Sequence, residues 1–108
     1  MKIKIAVDSN IGNKRIHDLS NIGYEVVVVA KPAEKDVDWM ERANKAEARF
    51  IISNDSDVPR LIENRFYAMM WVNYPGDNPL YKESLVKYID QMIKYKLQIC
   101  KLLFLEAR

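Results

Sequence analysis

Cysteine is almost missing from this chain of 108 residues, and Cys100 stands alone. One cysteine forms no internal disulfide, and no paired Cys or Cys/His spacing offers a zinc site. A disulfide-stapled secreted module is excluded, and a reducing cytoplasm is the expected compartment. Glycine (3) and proline (4) are too scarce for a linker-rich or disordered chain. No run of about 18 apolar residues exists, so neither a transmembrane helix nor a membrane partner is expected. The opening MKIKIAVDSN is interrupted by Asp8 and lacks the apolar core of a secretory signal. No Gly-rich phosphate loop is present, which argues against a nucleotide-binding domain of either common type. Histidine is limited to His17, in the middle of a predicted helix, where a surface or packing role outweighs general-base chemistry.

What remains is an ordinary globular composition, 49% apolar and 30% charged, with a net charge of +2. The length suits a single domain over residues 1–108. The small positive charge permits binding to a polyanion without requiring it.

The chain reads as alternating strands and helices. Ile3–Val7 (IKIAV) is a strand that turns fully apolar as it enters a buried sheet. A helix over about 11–22 places Ile11, Ile16, Leu19 and Ile22 on its inner side, and Gly23 stops it. Glu25–Ala30 (EVVVVA) predicts a central strand covered on both faces. Asp36 opens a second helix with Trp39, Met40 and Ala43 on one face. Arg49–Ser53 is a third strand, followed by a short helix in which Pro59 occupies a permitted early position. Phe66–Val72 reads as a fourth strand, and residues from Leu80 onward as a long C-terminal helix. This order predicts an α/β fold in three layers, α/β/α, with a mainly parallel four-stranded sheet. The apolar residues of the last helix surround it toward its end. A second copy of the chain is the expected cover, giving a homodimer through that helix. Tyr81, Tyr88 and Tyr95 recur every seven residues along it and form one core or interface stripe.

Ligands of open parallel sheets bind beyond the carboxyl ends of the strands. Asp8 follows the first strand, Asp55 and Asp57 follow the third, and Asp36 begins the helix after the second. Each alone suits a helix N-cap. Together they crowd like charges at one edge, and the repulsion raises their pKa values. A positive group must offset it. The candidates are a hard divalent cation, Mg²⁺ or Mn²⁺, or a basic side chain from Lys14, Arg15 or Lys31.

These residues carry a resemblance to the PIN-like domain family. VDSNI (7–11), GYEVVVV (23–29), Asp36 with Trp39, Met40 and Ala43, and IISNDSDV (51–58) are similar, in order and spacing, to its successive motifs. The resemblance covers Met1 to about Glu63 and is nearest to the small stand-alone group often found beside toxin–antitoxin genes. Val58 and Ser53 depart from the usual Phe and Thr. The resemblance implies a metal-dependent endoribonuclease, of toxin type, with RNA as substrate and a protein antitoxin as partner. Asp8, Asp36, Asp55 and Asp57 would be catalytic, with Asp8, Asp55 and Asp57 as metal ligands. Asn10, Lys14, Arg15, Lys31 and Ser53 would hold the carboxylates or the substrate phosphates. The alternative is a PIN-like binding or assembly module with little or no nuclease activity. A receiver-like signalling domain ranks last. The first strand supplies one acid rather than a pair, and the last strand leads into Asn73-Tyr74-Pro75 where a lysine is required. Trp39 and Trp71 are expected in the core.

Overall fold

Residues alternate across the sheet with period two, and that alternation sorts the apolar side chains into two cores. The computed structural model describes residues 2–74 and 85–106, with side chains as far as Lys101. Its elements are β1 (Ile3–Val7), a single 3₁₀ turn (Ser9–Ile11), α1 (Asn13–Asn21), β2 (Tyr24–Val29) and α2 (Asp36–Lys45). There follow β3 (Phe50–Ile52), α3 (Asp57–Asn64), β4 (Met70–Val72) and α4 (Leu85–Glu106). The four strands form one all-parallel sheet in the order β2-β1-β3-β4. Ile5, Val7, Phe50, Ile52 and Val72 point to one face, where Leu19 of α1 and Leu85, Ile89 and Ile93 of α4 bury them. Ala6, Val28 and Ile51 point to the other, against Trp39, Met40 and Ala43 of α2 and Val58 of α3. The three-layer α/β/α arrangement is thereby realised. No helix among the described residues is long and apolar enough to cross a membrane.

Several sequence expectations need correction. The valine-rich strand is an edge strand, not a central one. Both of its faces are still covered, Val26 by one core and Val27 and Val28 by the other. Cover above and below says nothing about a neighbour on each side, so the apolar run misplaced the strand within the sheet. Its pairing with β1 shifts register between Ile5 and Ala6, so that Ile5 pairs with Val26 and Ala6 with Val28. The first helix is broken in two because Gly12 takes φ +90°, a left-handed conformation that no helix contains. Ile22 is not on the inner side. It is 51% exposed, at the end of α1 just before Gly23 (φ +113°) turns the chain. The fourth strand is shorter than its apolar run, since Phe66–Met69 close a turn on α3 through Phe66 N–H to the Leu61 carbonyl, 3.0 Å. The start of the last helix at Leu80, Tyr81 and the side chains after Lys101 lie outside the described residues.

α4 is fixed to the sheet by a polar contact between Tyr24 and Asp90 as well as by its apolar face. The Tyr24 hydroxyl donates to Asp90 Oδ1 at 2.5 Å, and Lys94 Nζ donates to Asp90 Oδ2 at 2.9 Å. Burial pushes Asp90 up, but the bonds from Tyr24 and Lys94 outweigh it and hold the carboxyl below its ordinary range. Burial, then Asp90, push the Tyr24 hydroxyl up. Tyr24→Phe removes the donor and leaves a half-buried carboxylate short of a partner, so it should cost about 1–3 kcal/mol in urea unfolding at pH 7. A group with a lowered folded pKa stabilises above its unfolded value, about 3.9 for aspartate, and loses that contribution as pH falls through the folded value. The difference between wild type and Tyr24→Phe should therefore shrink in acid, and an unchanged difference at low pH would contradict the assignment.

Candidate functional site

The order in which strands are added to the sheet reverses between β1 and β3. β1 connects through α1 on one face to β2, and β2 connects through α2 on the other face to β3, on the far side of β1. The carboxyl ends of β1 and β3 thus flank the switch point where open α/β sheets bind ligands. Backbone pairing continues past both strands into the site. Asp8 N–H reaches the Ile52 carbonyl at 2.9 Å, and Ser53 N–H reaches the Val72 carbonyl at 3.2 Å.

Each aspartate is placed by a different local device. Asp8 accepts from Ser9 N–H at 2.7 Å and from the Ser53 hydroxyl at 2.6 Å. Ser53 is fully buried, and its hydroxyl oxygen also accepts from Asp55 N–H at 3.1 Å. Of the two roles expected for Ser53, holding a carboxylate or a phosphate, the structure shows the first, with its hydroxyl engaged by Asp8 and the Asp55 amide. Its role is to join the loop after β1 to the loop after β3. Asp55 Oδ1 accepts from Asp57 N–H at 2.9 Å, which turns the chain into α3. Asp36 and Asp57 are the first residues of their helices, after Lys35 and Ser56. The cap positions fall on those neighbours, so neither aspartate is the N-cap that its sequence context suggests. Asp36 Oδ1 instead accepts from the Trp39 indole N–H at 3.0 Å.

The loop that delivers Asp36 is held as firmly. Glu34 accepts from Lys31 N–H at 2.9 Å and from Arg42 through two bonds of 2.6 and 3.0 Å. Arg42 also donates to the Val29 carbonyl at 3.3 Å. The Arg42 bonds, then the Lys31 N–H, hold the Glu34 carboxyl below its ordinary value.

The structure brings Asp36, Asp55 and Asp57 together, each offering an oxygen within 4.8 Å of the others. Asp36 and Asp55 are half-buried and Asp57 is exposed. Asp8 stands beside this group and adds to its field, though it is not one of the three. The Asp36 carboxyl is pushed up, first by burial and then by Asp55 and Asp8, against the lowering effect of the Trp39 bond. Among the described residues, the charges acting on it are those of the Asp55 and Asp8 carboxylates. Among the described residues no salt bridge joins Lys14, Arg15 or Lys31 to the four aspartates. Lys14 and Arg15 line a shallow cleft of about 660 Å³ at the start of α1, with Val86 of α4 on its other side. Lys31 lies exposed after β2, at the same edge of the sheet.

Four residues of this edge, Asn54, Tyr74, Trp39 and Trp71, escaped sequence reasoning as site residues. Asn10 donates to Asn54 Oδ1 at 3.1 Å and accepts from the Tyr74 hydroxyl, which ties together the loops after β1, β3 and β4. Nothing in the sequence links positions so far apart. Trp39 belongs to the core, as expected, and Trp71 packs half-buried against it, but their N–H groups serve the edge. Trp39 holds Asp36, and Trp71 donates to the Ser53 carbonyl at 2.8 Å. A Trp three residues after an acid at a helix start is the one local signal that was available.

The oxygens fit a hard cation. Opposite ligands of Mg²⁺ stand about 4.2 Å apart, twice a bond of about 2.1 Å, and an exposed Asp57 leaves room for the last adjustment. No family model, curated protein or solved structure matches the chain.

A raised pKa means that ionising Asp36 opposes folding. Its contribution is fully favourable below the unfolded value, about 3.9, and is lost as pH rises through the folded value. Asp36→Asn keeps an acceptor for Trp39 and deletes the charge. It should melt higher than wild type at pH 7, and the gain should vanish near pH 3. A lower melting temperature at pH 7 would show that the carboxylates do not strain this edge.

Proposed function

We propose that the carboxyl edge is a divalent-cation centre that hydrolyses RNA phosphodiester bonds, in a chain of the PIN-like type. The observation that carries this reading is the trio Asp36, Asp55 and Asp57 within 4.8 Å, crowded further by Asp8 and joined by no salt bridge among the described residues. Among the described residues no basic side chain forms a salt bridge with these carboxylates. This favours a hard divalent cation, Mg²⁺ or Mn²⁺, which prefers oxygen donors of this kind.

The chemistry such an ion supplies when bound is a more acidic coordinated water and a counter-charge for a phosphate. Asp36, Asp55 and Asp57 would hold it. Asp8, kept in place by Ser53 and Ser9, would be the adjacent carboxylate available to accept a proton. Trp39 would orient the Asp36 carboxylate through its bond to Oδ1. Lys14, Arg15 and Lys31 give affinity for the RNA backbone without reading its sequence. Asn10 lies exposed between the loops, where it can meet a phosphate.

The test is cleavage of a fluorophore-labelled single-stranded RNA by the purified chain in Mn²⁺. Wild type should cut it, and EDTA should stop the reaction. Asp8→Asn and Asp55→Asn should each lower the rate by at least about a hundredfold while the circular dichroism spectrum is unchanged. Cleavage that survives both substitutions would assign the activity elsewhere. Mn²⁺ binding without cleavage of any RNA offered would leave the binding or assembly module as the reading.

A further inference from the structure

The outward face of α4 carries a pattern that the core uses in part, through Tyr88 and Met92, and the acidic edge does not use. Over residues 87–100 the sequence runs KYIDQMI and then KYKLQIC. Lysine, tyrosine and glutamine each return after seven residues, as Lys87, Lys94 and again Lys101, as Tyr88 and Tyr95, and as Gln91 and Gln98. Packing against the sheet accounts for Leu85, Ile89, Ile93 and Leu97. It makes no demand that the other positions repeat. Seven residues is the period of a helix that lies along another helix.

The apolar members of the pattern follow the same rule. Tyr88, Met92, Tyr95 and Ile99 succeed one another at steps of four, three and four residues, the spacing of a coiled-coil seam. Tyr88 and Met92 rest partly on the chain's own core, whereas Tyr95 is 59% and Ile99 36% exposed. The seam leaves the core and continues into solvent. Gln91 and Gln98 lie exposed beside it, with Lys87, Lys94 and Lys101 exposed beyond them. Over residues 85–101 the charged side chains are Lys87, Lys94, Lys96 and Lys101 against Asp90 alone, and Tyr24 and Lys94 already engage Asp90. A second copy of the chain would set this basic surface against itself, which like charges oppose. A helix with an apolar stripe and acidic flanks matches both the seam and the lysines.

We infer that this face of α4 docks an acidic amphipathic helix of a partner protein, its apolar residues on the Tyr88–Met92–Tyr95–Ile99 seam and its carboxylates along the lysine row. The surface is independent of the acidic edge, and its test does not involve RNA or metal.

The probe is a synthetic three-heptad peptide with Leu at its seam positions and Glu on both flanks, labelled for fluorescence anisotropy and titrated with the full chain. Its controls are the same peptide with Lys for Glu and a scrambled sequence of identical composition. The Glu peptide should bind at least about tenfold more tightly than either control. Tyr95→Ala/Ile99→Ala should weaken it by about tenfold or more, as loss of seam anchors does. Lys87→Glu/Lys101→Glu should reverse the preference toward the Lys peptide. If the alanine pair lowers the helical signal, the charge reversal at two exposed positions decides alone. Absence of binding, equal binding of the scrambled peptide, or binding indifferent to Tyr95 and Ile99 would overturn the proposal. So would a stable dimer in sedimentation that Tyr95→Ala/Ile99→Ala dissociates, since the face would then belong to a second copy.

Discussion

Mutual repulsion among carboxylates at the switch point is the constraint around which the carboxyl edge is arranged. Asp36, Asp55 and Asp57 converge there with Asp8 alongside, and the partial burial of Asp36 and Asp55 makes their repulsion harder for water to screen. Left free, loops this charged would spread apart. They are held instead by bonds that end in the buried layers. The Ser53 hydroxyl spans Asp8 and the Asp55 amide, and the Trp71 indole fixes the Ser53 carbonyl from below. The Trp39 indole fixes Asp36, and Arg42 clamps the loop before it through Glu34.

This explains why both tryptophans look like core residues and act like site residues. Each sits among Met40, Ala43, Val58 and the other side chains that cover one face of the sheet, and each spends its single donor on the edge. An indole is suited to this because it buries a large apolar body and needs a partner for one N–H. Rigidity thus passes from hydrophobic packing to the carboxylates through two hydrogen bonds. The opposite face has the same logic on a larger scale, where Tyr24 and Asp90 fix α4 across the sheet while its outer side stays in solvent.

The strand and helix order, the parallel sheet and the edge that gathers the aspartates were legible from apolar runs broken by Asp, Asn, Gly and Pro. These signals are local, and the structure keeps them. Strand order was not legible in the same way. Val26–Val29 suggest cover on two faces, and that cover exists on this edge strand for Val26, Val27 and Val28, while Val29 is exposed. The division of labour among the acids was also hidden. Asp8, Asp36, Asp55 and Asp57 look alike as helix-start residues, and their hydrogen-bond partners, some distant and some local, separate them. Ser53 claims Asp8, while Asp36 turns to Trp39 rather than to a backbone amide. The Asn10–Asn54–Tyr74 tie is of the same kind, since it depends on where β1, β3 and β4 end relative to one another.

The most direct measurement is the melting temperature of wild type and of Asp55→Asn/Asp57→Asn over a Mn²⁺ titration at neutral pH. Binding to the folded state alone raises stability with ion concentration. A rise in wild type that the double variant lacks is the result this account predicts, because two of the three ligands are gone. No rise in wild type, or an equal rise in both proteins, would contradict a cation centre at the carboxyl edge.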